Sequence, residues 1–392
     1  MEQTRNYFWL FALLVSSSCA LLWLSSTLSI SYDEAQSFFN AKDFGGIVSR
    51  LSVQLFGQND FALRLPFLLL HLCNTLLMFY LAKGFLKRNT DALFCALLFC
   101  LLPGVNAVAL LVTNGGIVIA LTLILCLWVQ KYNAIPYWLL LVMAFVDKSF
   151  ALVFVALIFY GIANKNTRLI VLSLLLFALN MYVYGLEIGG RPSGYFLDSN
   201  GHLLLIFSPL LYLYFLYTLY RYFNAKAKSL MWYIASVSLG FIWLLSLRQR
   251  VQMETFAPLL IVGIPLMVSL YFSGLRVRLP QFRARYTIPF LMTFLVLLIL
   301  SGTLFLSKPL FVLFPNANEH FASRHFITKE IAQELKNRGF YRVKTEKKMQ
   351  ERLRFYGIAR GGVQLSSIKK ANAQSFSIEY YGKKIITYYL YE

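Results

Sequence analysis

Acidic residues are scarce in this chain of 392 residues, which has 17 Asp and Glu against 37 Lys and Arg and a formal net charge of +20. Only 14% of the residues are charged, whereas 58% are hydrophobic and the mean hydropathy is +0.62. Water-soluble domains of this length are far more polar. A basic soluble protein would suggest nucleic acid as a partner. Here much of the basic charge lies in short loops between apolar segments, where it sets membrane topology, so we expect no nucleic-acid partner.

Cysteine is also rare, and its spacing excludes two classes of site. The chain has five cysteines, all inside apolar segments: Cys19, Cys73, Cys95, Cys100 and Cys126. None of them forms a C-x-x-C pair, so the sequence predicts neither a cysteine metal site nor a structural disulfide.

What the chain has in abundance is apolar segments long enough to cross a bilayer, which takes roughly 17–25 residues each. They predict an all-α polytopic membrane protein with about eleven spans. Asp147 and Lys148 interrupt one apolar segment, so we expect two short spans there instead of one helix facing lipid. The predicted spans lie near 8–30, 63–86, 92–111, 115–130, two within 138–163, 168–185, 202–223, 229–247, 255–273 and 286–307.

The last part of the chain is polar and differs from the rest. We predict a transmembrane domain over 1–307 and a small α/β domain outside the membrane over 308–392. The patterns in this tail predict helices near 323–336 and 345–355, with strands near 340–343, 375–381 and 384–391.

The distribution of Lys and Arg between alternate loops predicts the orientation. When the N-terminus is placed in the cytoplasm, the cytoplasmic loops hold more Lys and Arg than the outer loops, as the positive-inside rule requires. An odd number of spans then places the C-terminal domain on the outer face. Asp33, Glu34, Lys148, Arg248 and Arg250 would share that face.

Asp33 and Glu34 follow the first apolar segment directly, and two carboxylates at a membrane boundary must be solvated, paired or bound to a cation. A carboxylate there could activate an acceptor or bind a divalent metal, while Lys148 and the arginines could hold a lipid-linked phosphate. Structural alternatives remain open. Asp33 could cap a helix, Glu34 could offset a helix dipole, Lys148 could snorkel, and Arg64 could anchor the end of a span.

The order of these residues resembles a known family. Tyr32-Asp33-Glu34-Ala35 and the later string LFGQNDFALRLP over 55–66 resemble the GT-C membrane glycosyltransferases, in the group of protein O-mannosyltransferases and lipid A aminoarabinose transferases. The resemblance covers roughly residues 5–270. It implies sugar transfer from a polyprenyl-phosphate donor to a lipid or protein acceptor at the outer face of the membrane. It also implies a bacterial inner membrane, whose outer face is periplasmic.

The resemblance also implies roles for particular residues. Asp33 matches a catalytic acidic residue, with Glu34 beside it to position an acceptor or to share a divalent cation such as Mg or Mn. Asp147-Lys148-Ser149 matches a lysine motif near the lipid phosphate. The same donor phosphate would be held by Lys148 together with an arginine, Arg250 or Arg64, and Arg248 is a further candidate.

One position departs from the family pattern. Asn114 stands in the loop where an acidic residue is expected, and Asn cannot act as a base. A non-catalytic protein that binds lipid-linked sugar is therefore an alternative, as is a lipid flippase or transporter. Transporters usually carry internal repeats and charged or broken helices at mid-membrane, whereas the charges here are predicted at one face. The sequence leaves the sugar and the acceptor open.

Overall fold

The computed structural model describes residues 2–40, 43–185, 189, 194–225, 228–310, 325–368 and 374–391, and the structural statements below concern these residues. The helices are α1 (Glu2–Thr27), α2 (Tyr32–Asn40), α3 (Phe44–Phe56), α4 (Asp60–Phe85), α5 (Asn89–Leu101), α6 (Pro103–Leu110), α7 (Gly115–Tyr132), α8 (Tyr137–Val146), α9 (Phe150–Ala163), α10 (Thr167–Tyr184), α11 (Tyr195–Phe207), α12 (Pro209–Phe223), α13 (Leu230–Ser246), α14 (Met253–Phe256), α15 (Ile264–Val277), α16 (Pro280–Phe305), α17 (Ser307–Leu310), α18 (Thr328–Asn337) and α19 (Lys347–Phe355), with a 3₁₀ helix at Ala257–Gly263. The strands are β1 (Arg342–Lys344), β2 (Ala359–Ser366), β3 (Gln374–Tyr380) and β4 (Lys383–Tyr391).

Long apolar helices dominate the described part of the chain. Six of its helical segments are long and apolar enough to cross a membrane, and the number rises to 8 if the bent pairs α5–α6 and α11–α12 each count as one span. The expected class, an integral membrane protein with helical spans, is confirmed. Each predicted span coincides with a helix or a helix pair. Fewer than eleven meet the length criterion, because α8, α9 and α13 have only 10, 14 and 17 residues.

The helix breaks have local causes. Asp147 has an extended backbone at the end of α8, and its Oδ1 accepts a 2.8 Å hydrogen bond from the Ser149 N–H, just before α9. The charged pair therefore interrupts the apolar segment as predicted. Pro103 and Pro209 begin α6 and α12, where a missing N–H costs nothing, and the pairs α5–α6 and α11–α12 bend there by 61° and 104°.

The chain forms two compact units. The larger unit comprises Met1–Ser18, Leu69–Ala109 and Asn114–Ser301. Its core is built from aromatic and aliphatic side chains, such as Phe99, Phe150 and Phe154, that are wholly buried. A polar contact joins α1 and α4 within this unit, because Ser17 Oγ lies 3.1 Å from His71 Nε2. His71 is thus held by an interhelical hydrogen bond, the usual role of a polar side chain between membrane helices.

The smaller unit comprises Cys19–Leu68, Leu110–Thr113 and Gly302–Glu392. Its sheet has the order β1-β2-β4-β3, in which β1 and β2 are parallel and the other pairs are antiparallel. An α/β fold was expected for the tail, and a small sheet with α18 and α19 is what the structure has. The predicted helix near 323–336 is described only from residue 325 on, with α18 beginning at Thr328.

Strand β2 escaped the sequence analysis. Gly361 and Gly362 have positive φ angles of 136° and 66°, which favour glycine. The two glycines interrupt the alternation of apolar and polar residues by which a strand is recognised in the sequence. Residues 19–68 and 110–113 belong to the same compact unit as the tail. The division into a transmembrane domain over 1–307 and a domain outside the membrane over 308–392 stays a prediction.

Candidate functional site

Helix α2 carries the two adjacent carboxylates, and Ser31 precedes it as the N-cap residue. The Ser31 N–H donates to Glu34 Oε2 at 2.8 Å, and the Glu34 N–H donates to Ser31 Oγ at 3.3 Å. This reciprocal pair is a capping box, in which a serine and a glutamate three residues later satisfy each other's backbone donors. The pattern Ser-x-x-Glu was visible in the sequence, and it was the signal that Ser31, and not Asp33, caps the helix.

Glu34 is buried and fully engaged. Besides Ser31, its Oε2 lies 3.5 Å from an Arg64 nitrogen, and its Oε1 accepts a 3.4 Å hydrogen bond from the Val112 N–H. His325 Nδ1 lies 3.8 Å from Oε2, which permits an electrostatic contact but is too long for a hydrogen bond. Burial by itself would raise the pKa of Glu34, but Arg64 and His325 lower it by more, to about 2.

Arg64, on α4, has no exposed surface at all. Its Nε donates to the Leu110 carbonyl at 2.8 Å, and its other nitrogens donate to the carbonyls of Leu28 and Ser29, each at 3.1 Å. These last two carbonyls follow the C-terminus of α1, where a positive charge is favoured. The guanidinium thus has protein partners at all three nitrogens, which makes it a structural residue beside Glu34 and leaves no donor directed to a phosphate.

Two residues of the tail that the sequence analysis missed complete this network. Tyr356 donates to Asp60 Oδ1 at 2.6 Å and accepts from the Ile30 N–H at 3.0 Å. Burial and the neighbouring Asp60 raise the pKa of Tyr356. Arg352 donates to the carbonyls of Ile30 and Phe326 at 2.8 and 3.0 Å. No local sequence pattern marks either residue, because their partners Ile30 and Asp60 lie about three hundred residues away in the chain.

Asp33 differs from Glu34 in its exposure and in its bonding partners. It lies in the first turn of α2 with an exposed side chain. Among the described residues, none forms a hydrogen bond or an ion pair with its carboxylate. The adjacent carboxylates therefore have separate environments: Glu34 is built into the fold of the smaller unit, and Asp33 remains accessible.

Lys148 and Arg250 line one cavity of the larger unit. It has a volume of about 450 Å³. The Lys148 ammonium donates to Gln252 Oε1 at 2.8 Å, and Arg250 is exposed. The polar and aromatic side chains that line the cavity with them are those of Tyr184, Tyr195, Gln249, Gln252 and Phe256. No acidic side chain lies among the described residues that line it, so the cavity suits an anion.

Asn114 and Asp147 pair with each other in the larger unit. The Asn114 side-chain amide donates to Asp147 Oδ2 at 2.8 Å. Asp147 is buried, and its own carbonyl accepts a 3.1 Å hydrogen bond from Asn180. The amide at position 114 thus fixes the residue that precedes Lys148, a role that the sequence analysis did not assign to it.

Arg248 is the predicted phosphate ligand with the weakest position. Its side chain is exposed, and it is not among the residues that line the cavity of Lys148 and Arg250. The structure thus brings Lys148 and Arg250 together in the larger unit, and Glu34 and Arg64 together in the smaller unit.

The donor set at Glu34 does not fit a divalent cation. Both of its oxygens already face N–H donors, and the neighbouring Arg64 supplies a positive charge where a metal would have to sit. Within the described ranges, no group of three or more His, Cys, Asp and Glu side chains could hold a metal ion. The expectation that Glu34 shares a metal with Asp33 is therefore not supported by this geometry.

Two solved structures have a fold similar to that of this chain. The chain is similar to the crystal structure of ArnT from Cupriavidus metallidurans in the apo state, with a TM-score of 0.54 and 13% identity over 88% of this chain and 74% of that one. It is also similar to the structure of ArnT from the same organism bound to undecaprenyl phosphate, with a TM-score of 0.51, 14% identity and the same coverage. The chain has the fold of ArnT. The predicted GT-C type of fold is thereby confirmed.

The similarity is one of structure, since no family model and no curated protein sequence matches the chain. Identities of 13% and 14% show a shared fold and no more. Function must therefore be argued from this chain's own residues.

Proposed function

We propose that this protein is a membrane glycosyltransferase that moves a sugar from a polyprenyl-phosphate donor to a lipid or protein acceptor. The observation that carries the proposal is the cavity that Lys148 and Arg250 line together, in a chain with the fold of ArnT. One of the two ArnT structures contains undecaprenyl phosphate, a polyprenyl phosphate.

The cavity would bind the donor phosphate. A lysine and an arginine make charge-assisted contacts with phosphate oxygens, and the arginine can do so with two nitrogens at once. Gln252 holds the Lys148 ammonium by the 2.8 Å hydrogen bond, so the cation is positioned before the donor arrives. As the bond from the sugar to the phosphate oxygen breaks, negative charge grows on the phosphate, and the two cations would stabilise it.

Asp33 would act as the general base. Its carboxylate is exposed and has no partner among the described residues, so it can accept a proton. In the proposed step, the acceptor O–H or N–H gives its proton to Asp33 while the acceptor atom attacks the anomeric carbon. The bond between that carbon and the phosphate oxygen breaks, and the electron pair leaves with the polyprenyl phosphate.

Glu34 and Arg64 would serve this step as positioning residues. Glu34 closes the capping box of α2 and pairs with Arg64, which binds the carbonyls that follow α1. Together they set the start of the helix that carries Asp33. Asn114 would act in a similar way on Lys148, because it holds the buried Asp147 next to it. A base at position 114 is not needed in this scheme.

The proposal includes the membrane and the orientation predicted from the sequence. The protein would lie in a bacterial inner membrane with a cytoplasmic N-terminus, and its tail and Asp33 would face the periplasm. The apolar helices support the membrane part of this proposal. The orientation rests on the distribution of Lys and Arg alone.

Purified protein in liposomes would test the proposal. The donors would be undecaprenyl-phosphate sugars, and the acceptors would be lipids and proteins extracted from cells that lack the protein. We expect product to form together with free undecaprenyl phosphate, both measured by mass spectrometry. Donor that binds without yielding product would indicate a non-catalytic binder. Donor that crosses the bilayer unchanged would indicate a transporter.

A further inference from the structure

The larger unit contains a second cavity, besides the one that Lys148 and Arg250 line. It has a volume of about 740 Å³ and is formed by α12, α15 and α16. Five of the twelve described residues that line it are aromatic. Tyr271 stacks on Tyr286 and on Phe290, with ring centroids 5.5 and 3.8 Å apart. None of the residues lining this cavity lines the cavity of Lys148 and Arg250.

Two arginines line this cavity as well. Arg278 precedes α16 and lies over the Tyr286 ring, 3.9 Å from its centroid, while Arg285 is on the second turn of α16. Both are exposed. Neither guanidinium forms an ion pair with any carboxylate of the described residues, and no acidic side chain is among those lining the cavity.

The two neighbouring arginines have different surroundings. Arg276 forms an ion pair with Asp91, and Arg283 donates to the Arg278 carbonyl at 3.0 Å. Four arginines thus occur close together in the sequence, and two of them, Arg276 and Arg283, bond to other groups of the protein. Arg278 and Arg285 are the two whose charge faces the cavity without a carboxylate partner among the described residues.

Charge and apolar surface follow each other along α16. Met292 and Thr293 line the same cavity about 10–12 Å farther along the helix than Arg285, at 1.5 Å per residue. Beyond them, Leu295 and Ile299 remain 49% and 58% exposed on a helix that is apolar enough to span a membrane. A ligand that fits must therefore have an anionic head and an apolar chain.

We propose that this cavity binds an anionic glycerophospholipid. Its phosphodiester would lie between Arg278 and Arg285, and its acyl chain would run past Phe290 and Met292 along α16. Basic pockets between membrane helices recognise anionic headgroups in this way. The predicted orientation places these arginines on the cytoplasmic side, where the leaflet is rich in such lipids. The site is separate from the proposed donor site and does not depend on the proposed function.

Native mass spectrometry of the purified full-length protein would test this site. The probe is phosphatidylglycerol added to delipidated protein, compared with phosphatidylcholine. The test variant is Arg278→Gln with Arg285→Gln. The control is Arg5→Gln with Arg168→Gln, which removes the same charge from exposed arginines that do not line the cavity. Size-exclusion elution would show that both variants remain folded.

We expect wild type and control to retain phosphatidylglycerol and the test variant to bind it about tenfold more weakly or worse, since two charge-assisted contacts are lost. Equal weakening in test and control variants would show only general electrostatic attraction, and equal retention of phosphatidylcholine would show only apolar contact. Either result overturns the proposal. So would undecaprenyl phosphate that binds here while phosphatidylglycerol does not compete.

Discussion

Ser31 and Glu34 hold each other's backbone N–H groups, at 2.8 and 3.3 Å, and so they begin the helix that carries Asp33. This capping box gives Asp33 and Glu34, which are adjacent in the sequence, different environments. Glu34 turns inward to Arg64, whereas Asp33 stays exposed in the first turn. Their substitution should therefore have different consequences.

Asp33→Asn should lower sugar transfer by about 10²-fold or more, because the amide keeps the size of the side chain and cannot accept the proton. The amount and the melting temperature of the protein should barely change. Glu34→Ala should instead destabilise the protein by up to about 3–5 kcal/mol, since it removes the carboxylate that lies 3.5 Å from the buried Arg64. Transfer assays and thermal unfolding of both variants would check this. Near-normal turnover in Asp33→Asn would remove Asp33 from the mechanism.

Lys148→Ala and Arg250→Ala should each weaken donor binding by about 1.5–3 kcal/mol, the value of a hydrogen bond to a charged group. Lys148→Arg should retain part of the binding. Arg248→Ala is the matched control, because that arginine is exposed and does not line the cavity. Binding of undecaprenyl phosphate to each variant would be measured. Equal losses at Arg248 and Arg250 would show that the cavity is not the phosphate site.

Asn114→Asp should reduce transfer at neutral pH. The hydrogen bond of 2.8 Å to Asp147 would be replaced by the repulsion of two carboxylates, which displaces the residue next to Lys148. Activity should recover partly at lower pH or with added Mg²⁺, since a shared proton or cation relieves the repulsion. Wild type is the control, and its activity should not rise at lower pH or with added Mg²⁺ in this way, because Asn114 carries no charge. Full activity of the variant in chelator at neutral pH would contradict the positioning role of Asn114.

The stability of the smaller unit should depend on pH through Glu34. Its pKa is lowered from 4.5 to about 2, so folding favours the ionised form. The resulting stabilisation is complete above pH 4.5 and is lost as the pH falls towards 2. The difference in unfolding free energy between wild type and Glu34→Gln, which keeps the capping box, should therefore shrink over this interval. A difference that stays constant between pH 6 and about 3 would refute the linkage.

Fusions to a reporter that is active only outside the cytoplasm would test the orientation. The reporter should work after Asn40 and at the C-terminus, and it should fail after Arg88 or Arg283, because the basic loops are retained in the cytoplasm. A cytoplasmic reporter at the same four positions is the control and should give the opposite pattern. Activity of the first reporter at Arg283 with silence at the C-terminus would reverse the proposed topology.

Membrane class and helix positions could be predicted from the sequence because they depend on properties local to each segment. The GT-C type of fold was implied by the resemblance of residues 32–35 and 55–66 to a known family. Apolar length marks the spans, and the charges at 147 and 148 mark the break between α8 and α9. The capping box at Ser31 and Glu34 is also a local pattern, spanning one helical turn. Lys148 and Arg250 could be chosen as phosphate ligands, but only the folded chain places both at one cavity.

The tertiary structure alone decided which charges are buried and with what partners. Nothing local distinguishes Arg64, which has no exposed surface, from Arg250, which is exposed. Tyr356 reaches Asp60, and Arg352 reaches Ile30, across about three hundred residues of chain. Such pairings form because a buried polar group needs a partner, and the fold determines which partner is near. Composition and spacing therefore predicted where the helices lie, while packing decided which side chains remain free for chemistry.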